Sequence, residues 1–236
     1  MKISKRIFTF VMFAIVSAGV VFAADKKGAS KDSKESLGKY AKLTLGYSKG
    51  GADAEWDFGS GVKASTIIYY SGFEIVPTFG LEIPVSALEK KNMSLAVEGS
   101  VGLTFGSDSA GVYESSTKVI APGVMGILNY HINALPKLVP YAGLGFSVPI
   151  QLVNLKYKYT TYETTYTTIA GRQYASGAKA VSKTFETDST EVGFKMNALF
   201  GAKYNITDKF SALGEFGMGV FGVFSWSIRA GAAYHF

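Results

Sequence analysis

From Lys39 onward apolar residues recur at every second position, and no segment keeps a helical spacing. Over 72–84, Phe73, Ile75, Pro77, Phe79, Leu81 and Ile83 face one way, while Gly72, Glu74, Thr78, Gly80 and Glu82 face the other. Over 93–105, Met93, Leu95, Val97, Val101, Leu103 and Phe105 oppose Ser94, Glu98, Ser100, Gly102 and Thr104. Over 192–206, Val192, Phe194, Met196, Phe200, Tyr204 and Ile206 oppose Gly193, Lys195, Asn197, Gly201, Lys203 and Asn205. The same period of two runs through 41–47, 120–132, 141–151, 210–220 and 226–236. The pattern predicts eight long strands, each with one greasy face and one small or polar face.

Two all-β folds share this pattern: a soluble sandwich or barrel with the greasy face inside, and a membrane barrel with that face toward lipid. Lys42, Glu74, Glu82, Glu98, Lys195, Lys203, Glu215 and Arg229 all fall on the Gly/Ser/Thr face, and the opposite face carries no charge. A Lys or Arg facing lipid at the midplane costs about 2–4 kcal/mol, so the exclusion fits a membrane barrel. A soluble core excludes charge as well. The glycine-rich polar face separates the two folds better, because a solvated face carries more Lys and Glu.

The links between strands alternate as well. Those at 85–92, 133–139 and 207–209 are short, and those at 48–63, 106–118 and 155–191 are longer; the last, near Gly222, is tight. Short periplasmic turns and longer outer loops are the habit of bacterial outer-membrane barrels. The predicted fold is therefore an all-β, eight-stranded antiparallel up-and-down transmembrane β-barrel over 39–236. Its first strand starts and its last strand ends on the periplasmic side. It is expected as a monomer among the lipids of a Gram-negative-type cell outer membrane.

Composition sharpens this picture at the N-terminus. The 236 residues are 47% hydrophobic and 18% charged, the size of one domain, and contain no Cys, which excludes disulfide scaffolds, thiolate metal sites and Cys nucleophiles. The one long apolar run, 7–21, follows Lys2, Lys5 and Arg6 and precedes Phe22, Ala23 and Ala24, with Val21 and Ala23 at the two small positions before a cut. That layout predicts a signal peptide over 1–23, with an uncleaved anchor as the alternative. Its removal takes three of 24 basic residues, leaving 21 against 18 acidic ones, so no nucleic-acid partner is expected. The polar stretch 24–38 reads as a flexible periplasmic tail.

The final strand, with Arg229, Gly231, Tyr234 and Phe236, resembles the C-terminal insertion signal of Gram-negative outer-membrane barrels. That resemblance implies transient pairing with the outer-membrane assembly machinery. A second resemblance lies in the centre. Pro122, Gly126, Leu128, Tyr130, His131 and Ile132, followed by Pro140, Tyr141, Gly143 and Gly145, are similar to a stretch of the OmpW family of small barrels. Ile132 stands where that family usually has Phe. The resemblance implies passive passage of small, hydrophobic molecules; the OmpA and OmpX type of eight-stranded barrel is the neighbouring kind.

An eight-stranded barrel has an interior just wide enough for side chains to fill. The four acids and four bases named above should pair there, because an unpaired buried charge costs several kcal/mol. They make either a static plug or a gate whose pairs exchange. Catalysis, a cofactor and a metal are not expected: the only histidines, His131 and His235, fall near the periplasmic rim. Gly217, Gly219 and Gly222 match a dinucleotide-binding pattern by letter, but no helix follows. The longest link carries Tyr157, Tyr159, Tyr162, Tyr166 and Tyr174 with Lys156, Lys158, Arg172, Lys179 and Lys183. It reads either as a surface that binds an external ligand or as a plain extension of strands five and six.

Overall fold

The computed structural model describes residues 38–57, 63–110, 113–170, 172–221 and 224–236. The predicted signal peptide at 1–23 and all but Gly38 of the predicted tail at 24–38 lie outside the described residues. The strands are β1 (Lys39–Asp57), β2 (Lys63–Ile83), β3 (Met93–Ala110), β4 (Tyr113–Tyr130), β5 (Leu138–Ser147), β6 (Ile150–Ile169), β7 (Arg172–Val192), β8 (Lys195–Asn205), β9 (Phe210–Phe221) and β10 (Trp226–His235). One helical turn, Ser86–Glu89, sits between β2 and β3.

These ten segments make eight staves. β5 and β6 are halves of the fifth, and β7 and β8 are halves of the sixth. Proline causes the first break, since Pro122 and Pro149 have no N–H to give to the ladder. β4 pairs with β5 below Pro122, from Asn129↔Tyr141 to Gly123↔Ser147, and with β6 above it, from Ile120↔Ile150 to Tyr113↔Tyr157. The Val148 N–H reaches across the break to the Pro122 carbonyl at 2.9 Å. β8 and β7 follow their partners through the same bend, pairing with β5 and β6 respectively.

Every neighbour is antiparallel, and the sheet closes where β10 meets β1, from Tyr40↔His235 to Lys49↔Trp226. The chain is an eight-stranded antiparallel transmembrane β-barrel. Closure satisfies the backbone groups that an open edge would leave bare in lipid. The outward set is apolar and uncovered: Leu43, Leu45, Phe73, Leu144, Phe200 and Ile228 are all exposed. Aromatic residues gather at both ends of this band. Tyr234 packs on Phe210 and Phe236 at ring distances of 5.0 and 5.1 Å, while Tyr47–Trp226 and Phe146–Phe194 meet at 5.9 and 5.5 Å at the outer end. Two such belts mark the membrane interfaces.

The outer links at 48–63 and 106–118 correct the sequence reading, whereas that at 155–191 takes one of its two expected forms, an extension of strands five and six. Most of 48–63, 106–118 and 155–191 is strand rather than loop: β1 and β2 stay paired to Asp57↔Lys63, β3 and β4 to Ala110↔Tyr113, and β6 and β7 to Ile169↔Arg172. Alternation weakens there because lipid no longer faces the wall, yet Tyr, Thr and Val still favour a paired extended backbone.

Leu45 lies on the outward face, paired with Ala230 between the levels of Tyr47 and Tyr234. Leu45→Arg should lower folding stability in lipid vesicles by about 2–4 kcal/mol in urea titrations. A loss below about 0.5 kcal/mol would place that side chain away from hydrocarbon.

Candidate functional site

The period of two sends the eight predicted charges inward, and seven of them form one chain of ion pairs and a separate pair. Lys42 on β1 lies at the centre. Its ammonium donates to Glu98 Oε1 and Oε2 at 2.9 and 2.8 Å and to Glu215 Oε1 at 2.8 Å. All three side chains are at most 7% exposed. Two phenols complete the carboxylates: Tyr40 donates to Glu98 Oε1 at 2.7 Å and Tyr141 to Glu215 Oε1 at 2.8 Å. Glycines make room for those rings, because a Cβ on Gly80 would stand 2.1 Å from the Tyr40 ring and one on Gly201 2.5 Å from that of Tyr141.

Arg229 extends the network outward. Its Nε lies 3.2 Å from Glu215 Oε2, with the N–H not aimed at that oxygen, and its Nη1 lies 3.9 Å from Glu74 Oε2. The pair toward the periplasm is Lys203 with Glu82 at 3.2 Å. Lys195 is the exception. No carboxylate lies within ion-pair distance of it among the described residues, and its ammonium donates to Ser225 Oγ.

Apolar residues pack among these charges. Ala96, Ile127 and Leu199 are buried with Tyr40 and Tyr141, and Met125 packs against them. Together with the ion pairs they fill the periplasmic half of the lumen, where a void of only 20 Å³ remains beside Tyr40, Asn129 and His235. The inward face is thus not purely small and polar, as the alternation suggested. Leu199 and Ile127 point in because they share the parity of Lys195 and Asn129 on their strands.

Above this floor lies a cavity of about 340 Å³, lined by Ser48, Glu74, Lys195, Ser225, Ser227 and Arg229 among others. A second apolar cluster roofs it. Ala52, Ile68 and Tyr70 from β1 and β2 meet Val119 of β4 and Val153 and Leu155 of β6, with Tyr113 and Ala121 packed against them. Gln151 Nε2 also donates to the Gly51 carbonyl across the lumen at 3.4 Å. The rising β6–β7 hairpin therefore leans over the barrel mouth toward β1.

The wall of the cavity is incomplete on one side. β7 pairs with β6 alone, while β9 pairs with β8 only as far as Met196↔Phe221. The lining accordingly includes Val192, Phe194, Met218 and Trp226, which belong to the outward set. The cavity lies between the ion network and this apolar cluster, and its lining joins inward residues to outward ones at the level of the outer aromatic belt.

The other predicted residues lie away from it. Tyr157, Tyr159, Tyr162, Tyr166 and Arg172 are exposed on the β6–β7 hairpin, with Tyr157 and Tyr159 stacked at 6.1 Å. Beyond the Tyr113↔Tyr157 pair the hairpin runs on for twelve residues of β6, roughly 40 Å of extended chain. Lys158 pairs with Glu114 at 2.8 Å and holds its carboxyl below the usual range by hydrogen bond and charge. The amide of Asn154 and then the charge of Lys156 do the same for Glu186. Such lowered groups stabilise at neutral pH and lose that contribution as the pH falls through the folded value.

Gly231 and Tyr234 lie on β10, paired to β1 and β9, and the Phe236 N–H donates to the Lys39 carbonyl at 2.9 Å. Each histidine has a serine that the sequence did not suggest: His131 Nε2 lies 3.1 Å from Ser94 Oγ, and His235 Nε2 lies 3.1 Å from Ser211 Oγ. Among the described residues no three His, Asp or Glu side chains converge as a metal site.

No protein-family model and no curated protein sequence matches the chain. Among solved structures it is similar to Neisserial surface protein A, with TM-score 0.49 and 14% identity over 84% of this chain and 97% of that one. It is also similar to the attachment invasion locus protein Ail of Yersinia pestis, at 0.43 and 13% over 84% and 98%. Outer membrane protein OprG of Pseudomonas aeruginosa follows at 0.41 and 10%, over 84% and 96%. At such identities no residue role passes from one chain to another. The closed sheet, apolar exterior and double aromatic belt make this an outer-membrane barrel in their own right.

Lys42→Met should leave Glu98 and Glu215 buried without their shared cation. A loss of about 3–5 kcal/mol in urea unfolding is expected. A change under about 1 kcal/mol would mean that the network does not hold the two carboxylates as charged groups.

Proposed function

We propose that the protein passes small, largely hydrophobic molecules through the outer membrane by way of the cavity in its outer half. One observation carries this reading: the cavity lies beneath an apolar cluster that spans the lumen, and its lining includes Phe194 and Trp226 of the outward set, which supports access from the side. A molecule dissolved in the outer leaflet reaches it without crossing the ion network. A water-filled path for ions has no comparable support, since Lys42, Glu98, Glu215 and the apolar residues around them fill the lumen beneath. The site works by shape and solvation, with no enzymatic step.

A second reading rests on the β6–β7 hairpin. Tyr157, Tyr159, Lys158 and Lys183 stand exposed on it, and Tyr162 and Tyr166 are 72% and 62% exposed. Aromatic and basic side chains on a stiff ribbon suit contact with an external partner, so surface binding is the role this segment supports. The two roles occupy different parts of the barrel.

Vesicle uptake tests the first reading. Protein refolded into phospholipid vesicles should speed entry of a lipophilic fluorescent probe while passing no steady ionic current. Deleting 157–183 should leave that uptake unchanged and abolish any binding to cell surfaces. A steady ionic current with no probe uptake would sink the passage reading, and surface binding that survives the deletion would sink the second.

A further inference from the structure

The interior charges leave one cation over. Lys42, Lys203 and Arg229 share Glu74, Glu82, Glu98 and Glu215, whereas the ammonium of Lys195 meets only the Ser225 hydroxyl. An ammonium carries three donors, so two of them find no acceptor in the protein among the described residues. The unfilled capacity continues around it. Ser48 Oγ is buried without a hydrogen-bond partner, and Ser48 stands opposite Ser227 across the β1–β10 pair.

Two glycines shape this wall. A Cβ on Gly219 would lie 2.6 Å from Lys195 Cε, and one on Gly217 would lie 3.4 Å from Arg229 Nη2. The two cations therefore lie against successive inward positions of β9. The cavity lining as a whole holds Lys49, Lys195 and Arg229 against Glu74 and Glu191, an excess of positive charge.

We infer that this cavity binds the anionic head of a single-chain amphiphile. Lys195 and the hydroxyls of Ser48, Ser225 and Ser227 hold the head, and the tail leaves through the wall beside Val192, Phe194, Met218 and Trp226. A free inorganic anion would use only half of the site, because both the roof and the exit are apolar. A neutral amphiphile would leave the Lys195 ammonium unanswered, and burying a charge without a partner is unfavourable. The volume of about 340 Å³ stands at the small end of ligand pockets, which limits the ligand to one chain. The inference rests on the passage reading and adds the class of molecule and the group that selects it. The head is a carboxylate or a phosphate monoester; both present the oxygen acceptors that an ammonium and three hydroxyls recognise.

Trp226 reports on the exit directly. The chain has two tryptophans, so a Trp56→Phe background leaves one emitter beside the cavity. In phosphatidylcholine vesicles this protein is titrated with 11-bromoundecanoate, 11-bromoundecyl phosphate and 11-bromoundecanol, whose bromine quenches an adjacent indole. Saturable quenching by the acid or the phosphate is expected, with the tighter of the two identifying the natural head. Lys195→Met should weaken it by about tenfold or more, and Lys195→Arg should restore most of the loss. Shared heat-dependent gel migration establishes that all the variants are folded. Equal quenching by alcohol and acid, or an acid affinity unchanged in Lys195→Met, would overturn the anionic site while vesicle uptake of the lipophilic probe still stood. Absence of probe uptake in the unaltered protein would instead remove the passage reading beneath it.

Discussion

Lys42 is held between two carboxylates inside the lumen, with all three side chains at most 7% exposed. The geometry of the barrel follows from that constraint. Glu98 and Glu215 come from β3 and β9, on opposite sides of β1, and a single ammonium reaches both at 2.8 Å. Only a closed sheet of about eight staves brings such strands within one side chain's length of each other. The phenols of Tyr40 and Tyr141 then supply the hydrogen bonds that a desolvated carboxylate still needs, and Gly80 and Gly201 provide their space. Replacing such a network with apolar residues need not destabilise a fold, but removing one member does. Its value lies in a single register, since a slip of one residue would turn every charge toward lipid.

Much of this was legible in the sequence. Alternation placed Lys42, Glu98, Glu215 and Arg229 on one face, and the tight lumen required them to pair. It could not say which pairs form, because that depends on stagger around the barrel. Nor could it single out Lys195, whose spacing on β8 is the same as that of Lys203; only the partners across the lumen distinguish them. The apolar members of the inward face were the larger omission. Val119, Val153 and Leu155 share the parity of Asn129 and Gln151, so alternation places them inward, yet their apolar side chains gave no sign that they would meet across the lumen as a buried cluster. Tyr40 and Tyr141 carried a weak signal, an aromatic on the small-residue face, that becomes clear only beside Gly80 and Gly201.

The two ends of the lumen are closed by different means, and that difference gives the barrel its functional shape. Toward the periplasm ion pairs and apolar side chains fill the lumen together. Toward the outside an apolar cluster from β1, β2, β4 and β6 spans it. On that side β9 pairs with β8 only as far as Phe221, and β7 pairs with β6 alone. A plugged interior and a route for small molecules are compatible once the route runs sideways.

The absence of native Cys offers the most direct test of this arrangement. Ser100 lines the cavity one inward position beyond Glu98 on β3, so Ser100→Cys gives a single thiol inside an otherwise unreactive chain. In vesicles the thiol should react with a long-chain alkyl maleimide dissolved in the lipid and resist a sulfonated maleimide added to either aqueous side. Rapid labelling by the sulfonated reagent would contradict a lumen sealed along its axis, and resistance to both reagents would contradict an opening through the wall.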